Sequence, residues 1–198
     1  LSYAEAAAVT SLGGVFKSIP SSTEFTFDEL QYFTGLTSIG DHEFESTSMT
    51  SVILPPTIES IGYSAFGFTK ITSIVIPENV TKFSHFVFED TPLQSLHIPA
   101  SLVEMLSNPI VGCENVSSIT VAAGNRVYSS PQDCNAIVKT STKTLIVGCM
   151  NTVIPDGIET IGATAFHSCK NLHSIEIPSS VTEIKDAAFA YSGLQSVG

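Results

Sequence analysis

Apolar residues fall at i, i+3 and i+5 of a segment that returns along the chain. The copies are Met49-Thr-Ser-Val-Ile-Leu-Pro55, Ile71-Thr-Ser-Ile-Val-Ile-Pro77, Leu93-Gln-Ser-Leu-His-Ile-Pro99, Val116-Ser-Ser-Ile-Thr-Val-Ala122, Leu172-His-Ser-Ile-Glu-Ile-Pro178 and Leu194-Gln-Ser-Val197. The shared serine steps by 22, 22, 23, 56 and 22 residues. Apolar positions alternating around one polar position predict a short strand with one buried face. The closing proline has no N–H to donate, so it ends the strand and turns the chain. A second signature precedes most strands: Ile61-Gly-x-x-Ala65-Phe66, Ile161-Gly-x-x-Ala165-Phe166 and Ile184-x-x-Ala187-Ala188-Phe189, with degenerate copies at Ile39-Gly40…Phe44 and Phe83…Val87-Phe88.

A six-residue strand cannot bury its own face. Coils stacked about 4.8 Å apart join such strands into a parallel sheet over one continuous core, with contacts only between neighbours. The chain is therefore predicted to be a solenoid. Ile-Gly bends its return leg, and Ala-Phe plugs the convex side. The 56-residue step reads as one ordinary repeat followed by an enlarged coil.

The strand motif with its trailing Ile-Pro and the Ile-Gly-x-x-Ala-Phe segment, recurring in phase, resemble the BspA-like leucine-rich-repeat family, found in surface proteins of gut and oral bacteria and of some mucosal protozoa. The resemblance covers about residues 36–198. It implies an α/β leucine-rich-repeat fold that is β-dominated: a right-handed solenoid with a parallel concave sheet, short turns and one N-terminal helix. It also implies an extracellular or cell-surface location, no enzymatic activity, no cofactor, and adhesion to a protein or glycan macromolecule. A structural spacer within a larger surface protein is the alternative.

Residues 1–35 are expected to form a helix and an irregular capping coil. Leu1-Ser-Tyr-Ala-Glu-Ala-Ala-Ala-Val9 is Ala-rich with an early Glu, favourable to a helix and its dipole. The same stretch resembles the end of an EF-hand or dockerin-like calcium loop, with Glu5 as its last ligand. The other ligands would precede Leu1, so no metal is expected there. The chain stops at Gly198 halfway through a repeat, which suggests a longer parent protein.

Residues 123–152 break the period. Asn135–Lys139 and Thr144–Gly148 flank a polar turn and predict a β-hairpin. It is similar to the insertion that family members carry after a segment like Gly124-Asn-Arg-Val-Tyr-Ser-Ser130. It would be either a decoration that lengthens one coil or a protruding edge for contact. Cys134 and Cys149 stand at its feet, nearly opposite, where a disulfide is sterically possible. Cys113 and Cys169 share one inward repeat position, suited to a small buried thiol, and are too far apart to bond.

Composition narrows the function. Only 14% of residues are charged, against roughly 25% in ordinary domains, while Ser and Thr number 47. Eight basic against 19 acidic residues give a net charge of -11, which argues against nucleic acid or an anionic membrane as partner. The longest apolar run, Leu145–Met150, cannot span a membrane. The histidines form no metal or catalytic spacing, and there is no nucleophile elbow or phosphate-binding loop. What remains is a surface. Ser51, Ser73, Ser95, Ser118, Ser174 and Ser196 form one outward column, expected to hydrogen-bond along the ladder. Ile53, Val75, His97, Thr120 and Glu176 form the other, with an apolar patch at Ile53 and Val75. A monomer binding its partner across that column, flanked by the hairpin, is the expectation.

Overall fold

Ile39, Ile61, Phe83 and Met105 stand in register on four parallel two-residue strands, Ser38–Ile39, Ser60–Ile61, Lys82–Phe83 and Glu104–Met105. The return leg thus carries a regular ladder at the 22-residue step. Its side chains are in the core, with Ile39, Ile61 and Phe83 essentially inaccessible. The computed structural model describes residues 2–198, and across them the chain is a β-dominated solenoid. On the opposite face Ser95–Ile98 pairs in parallel with Ser118–Val121, and Ser174–Ile175 with Ser196–Val197. Where a strand segment ends in proline, the prolyl carbonyl closes the corner, accepting the N–H three residues on: Ile58 on Pro55, Val80 on Pro77, Leu102 on Pro99 and Val181 on Pro178.

The predicted plug is present. Phe44, Phe66 and Phe88 stack at centroid distances of 5.4 and 5.7 Å, and Phe166 lies on Phe189 at 5.0 Å. Neighbouring turns are also stitched by backbone bonds at alternate residues, such as Ser64 N to His85 O, Phe66 N to Val87 O and Phe68 N to Glu89 O. To aim these amides the chain enters the left-handed region twice per coil. One column is His42, Ser64, Phe86, Thr164 and Ala187; the other is Ser46, Phe68, Asp90, Gly112, Ser168 and Tyr191. Outside glycine this costs about 1–2 kcal/mol per residue, offset by inter-coil bonds worth about 1 kcal/mol each. A further buried column reinforces the turn: the Thr47, Thr69 and Thr91 hydroxyls donate to the carbonyls of Phe44, Phe66 and Phe88 at 2.7, 2.8 and 2.9 Å. Cys113 and Cys169 continue that column.

The hairpin does not protrude. Its strands, Ala136–Lys139 and Thr144–Gly148, lie inside a five-stranded sheet, paired with each other and bonded outward to Tyr128–Ser129 and Thr160–Ile161. Both faces are covered. Ile137 and Val147 join the N-terminal core cluster, while Ala136, Val138 and Leu145 join the C-terminal one. The insertion is a septum between two cores: alternation sends Ile137 to one side and Ala136 and Val138 to the other, and the register shift that skips Ile146 sends Val147 and Leu145 to opposite sides. At the outer turn the coils close past it: Asn108 Nδ2 donates to Thr164 O at 2.9 Å across 56 residues. Strands are thus added to the return leg, while this turn steps directly from Asn108 to Thr164. A cleft of about 200 Å³ opens between Met105–Asn108 and Gly162–Ala163.

The N-terminal helix is Tyr3–Ala7, with Ser2 as its cap. Glu5 completes a capping box, its carboxylate accepting Ser2 N at 2.8 Å and Ser2 Oγ at 2.9 Å. This holds the carboxyl below its usual range, the Ser2 backbone bond first. Its role here is to cap the helix, and the proposed first position of the calcium-loop remnant, Leu1, lies outside the described residues. The next strand, Glu24–Phe27, pairs in parallel with Ser48–Val52, so the capping coil extends the concave ladder.

That ladder is interrupted. Ile71–Pro77 has the expected alternation of burial, yet Ser73–Ile76 make no backbone hydrogen bond to either neighbour. Only Lys70 N to Met49 O and Gln94 N to Thr72 O tie this coil's strand segment in. The Ser73–Ile76 amides should therefore exchange hydrogen on the order of a hundredfold faster than those of the Ser95–Ile98 and Ser118–Val121 pair. Residue-resolved exchange measures this, and equal protection would contradict it.

Candidate functional site

The five residues expected on the concave column are all exposed. Each sits between inward-facing neighbours, as His97 does between Leu96 and Ile98, both buried. They do not form one continuous strip. Ile53 and Val75, 46% and 83% exposed, share a shallow cleft of about 500 Å³ with Pro56, Pro77 and Glu78. His97 and Thr120 are cross-strand partners joined by a 2.8 Å hydrogen bond. Glu176 belongs to a third group, in a cleft of about 610 Å³ with Val153, Ser174 and Ser196.

Val153 was missed by the repeat alignment. It is 71% exposed and precedes Ile154-Pro155, so it occupies the position of Ile53, Val75, His97 and Glu176. The trailing Ile-Pro was the available signal, hidden by the broken period. The column thus alternates in kind: two aliphatic residues, an imidazole paired to a hydroxyl, another aliphatic residue and a carboxylate. Among the described residues no group of three or more His, Cys, Asp or Glu is placed to hold a metal ion.

The serine column differs from expectation. Ser51 Oγ donates to Asp28 Oδ1 at 2.6 Å, and no hydrogen bond joins one of these serines to the next among the described residues. Parallel coils hold the hydroxyls side by side, pointing outward, where solvent or a partner satisfies them. The hairpin's strands belong to the return leg, and its feet reach this surface, Asn135 Oδ1 accepting Ile119 N at 3.4 Å and Asn151 Nδ2 donating to Ser117 O at 3.1 Å.

All four cysteines are buried free thiols. A register shift between Ile137 and Val138 aligns Ala136 with Gly148, so the hairpin feet are offset by one. Cys149 Sγ donates to Asn135 O at 3.4 Å, and Cys134 Sγ lies 3.6 Å from Ser130 Oγ. A Cys134–Cys149 bridge stays a proposal; mass spectrometry after native alkylation decides it, a linked peptide supporting it and two carbamidomethylated peptides refuting it. Burial pushes Cys113 from 9.0 up to about 12 and Cys169 to about 11. These thiols stay protonated when folded, whereas an unfolded thiol ionises near 8.5. Their stabilising contribution is complete below about pH 8.5 and is lost as pH rises toward the folded values. Urea midpoints should therefore fall between about pH 7 and about pH 10, and Cys113→Ala should flatten that fall. A wild-type slope retained in Cys113→Ala would contradict the assignment.

Comparison with known proteins gives a consistent picture. The BspA type leucine rich repeat region matches residues 15–134 and 147–198 in six copies. No curated protein sequence matches. A leucine-rich repeat protein from Eubacterium ventriosum is similar in structure at 25% identity, with a TM-score of 0.66 over 84% of this chain and 50% of that one. The pneumococcal vaccine antigen PcpA is similar at 21% identity and a TM-score of 0.71, over 84% and 43%. A leucine rich cell surface protein from Faecalibacterium prausnitzii gives 20% and 0.52, over 82% and 60%. This chain spans about half the length of these solved proteins.

Proposed function

We propose that this chain, which belongs to the BspA-type leucine-rich repeat family, is a non-enzymatic binding module of a bacterial surface protein that engages a protein or glycan through its concave face. The single observation that carries the reading is the Ile53–Val75 cleft. Two aliphatic side chains, one of them 83% exposed, face water on a scaffold where inward positions were available at the adjacent residues. Proline walls at Pro56 and Pro77 fix the cleft's edges, so a partner burying it orders little. The structural relative from Faecalibacterium prausnitzii, a leucine rich cell surface protein, supports a cell-surface location. Among the described residues no helix is long and apolar enough to cross a membrane.

The test is capture of extracellular-matrix proteins and glycans by the whole chain, repeated with Ile53→Lys/Val75→Lys. Loss of about tenfold or more in affinity is expected, since burying one unpaired ammonium alone exceeds 1.4 kcal/mol. Equal capture by both chains would point instead to a spacer without a ligand at this face.

A further inference from the structure

The outer turns carry a second surface, with a different chemistry. His42 and Tyr63 face each other at a ring distance of 4.8 Å, and Tyr63 lies 6.3 Å from His85 and 5.9 Å from Phe86. These rings belong to three successive coils and occupy the two positions after Ile-Gly or its equivalent. His85 is exposed, and Tyr63 and Phe86 are half-buried. The repeat itself sets their spacing, because the turns are locked to one another by backbone bonds such as His42 N to Tyr63 O at 2.7 Å and Ser64 N to His85 O at 3.0 Å.

Carboxylates bracket the rings. Asp41 Oδ1 accepts Tyr63 N at 2.7 Å. Glu45 is pinned between His42 Nδ1 and Ser64 Oγ, 2.8 Å from each. Glu89 and Asp90 follow on the coil of His85. Burial pushes the Glu89 carboxyl up, and the like charges of Asp90 and Glu45 add to it, so these groups crowd one another electrostatically. Lys170 reaches Asp90 only at long range and is bonded to Glu114 at 2.5 Å, while Lys17 acts on Glu43. The other lysine–carboxylate pairs involve Glu24, Glu104, Glu159 and Glu183, none of them on this ridge.

We propose that this ridge binds an extended basic peptide segment whose cationic side chains sit at alternate positions. Three observations select that occupant. Aromatic faces attract cations within about 6 Å of the ring centre. Carboxylates on both flanks, none of them paired with a lysine or arginine among the described residues, favour a cation and penalise an apolar segment, which would desolvate them. Side chains on one face of an extended chain recur every 6.6–6.8 Å, roughly twice the strand rise, close to the 6.3 and 5.9 Å from Tyr63 to His85 and Phe86 on the next coil, whereas His42 stands only 4.8 Å from Tyr63. An anionic ligand is repelled by the same groups. The proposal is independent of the concave face.

A labelled peptide of alternating Arg and Ser, titrated with the whole chain and read by fluorescence anisotropy, tests it. The alternating peptide should bind, and more weakly as salt rises through the range where the Debye length shrinks to about 8 Å. Glu89→Gln/Asp90→Asn, which preserves shape, should weaken it by about tenfold, and Tyr63→Leu by roughly fivefold. Removing the same two charges elsewhere, with Glu29→Gln/Asp133→Asn, should cost no more than about twofold. The Ile53→Lys/Val75→Lys variant should keep the ridge's ring dependence. Equal losses from both charge-removing variants, or equal affinity for a peptide with its arginines in one block, would overturn the proposal, as would failure of the alternating peptide to bind.

Discussion

Asn108→Ala should lower stability by about 3–4 kcal/mol and split the urea transition into two. The side chain is 5% exposed. Its amide donates to Thr164 O at 2.9 Å and Ala165 O at 3.3 Å, and its Oδ1 accepts Ile110 N at 3.0 Å. Truncation leaves Thr164 O and Ile110 N–H without these partners at the junction of two cores, and each orphan costs about 1–3 kcal/mol. Ala165 O keeps its bond from Gly148 N at 2.9 Å. Stability in stacked repeats is a sum of coil and interface terms. Weakening the buried clasp at Asn108 leaves only the exposed Asn171 Nδ2 to Glu114 O bond at 2.9 Å and the Lys170–Glu114 pair at 2.5 Å among the described side-chain bridges past the insertion, and should therefore let the halves melt apart. Far-ultraviolet circular dichroism against urea reads both effects. A single transition with a loss under about 1 kcal/mol would mean that the clasp is redundant.

Gly148→Ala should be nearly as damaging, by about 3 kcal/mol, for the opposite reason. A Cβ there would lie 2.0 Å from Phe166 Cε1 and 2.5 Å from Cζ. That ring cannot retreat: it is 1% exposed and stacked on Phe189 at an interplanar angle of 4°. Overpacking of this kind costs 1–3 kcal/mol and sometimes more. Gly157→Ala is the control. It has positive φ but nothing within 4 Å of the added carbon, so it should lose only the left-handed penalty of about 1–2 kcal/mol. Comparable urea midpoints for the two variants would show that ring contact is not what fixes glycine at 148.

The solenoid was legible because its determinants are periodic. Leu96 and Ile98 inside with His97 outside is a pattern of residue kinds, and so is the Ala65-Phe66 plug. What could not be read depends on conformation that the residue kinds do not advertise. Thr164, Phe86 and Ala187 are left-handed, yet in those columns only Gly112, Asp90 and His42 are residue kinds enriched in that region, because inter-coil bonds impose the conformation from outside. The Thr47, Thr69 and Thr91 column was readable in principle, since it stands three residues after each plug phenylalanine. It was obscured where cysteine replaces threonine at Cys113 and Cys169. The hairpin was recognised as strands, but its place was not, since Ala136-Ile-Val-Lys139 alternates weakly and gives no sign that both faces are covered. The open serine hydroxyls and the gap at Ser73–Ile76 turn on the fine spacing of coils, which a repeat length does not set.

The clasp at Asn108 also bears on the order of folding. Nearly every outer-turn bond joins residues 21–23 apart, so each coil can dock on its predecessor as soon as it leaves the ribosome. Asn108 must wait for Thr164, 56 positions later. Local contacts form quickly and distant ones pay loop-closure entropy first. Synthesis therefore passes through a stage in which the N-terminal coils are complete, the Asn108 amide is unsatisfied, and Ile137 and Val147, with Tyr128 and Cys149, cover that end of the core. Septum residues facing the N-terminal half thus serve as a temporary lid during synthesis, and their partners on the far face matter only after Phe166 has emerged.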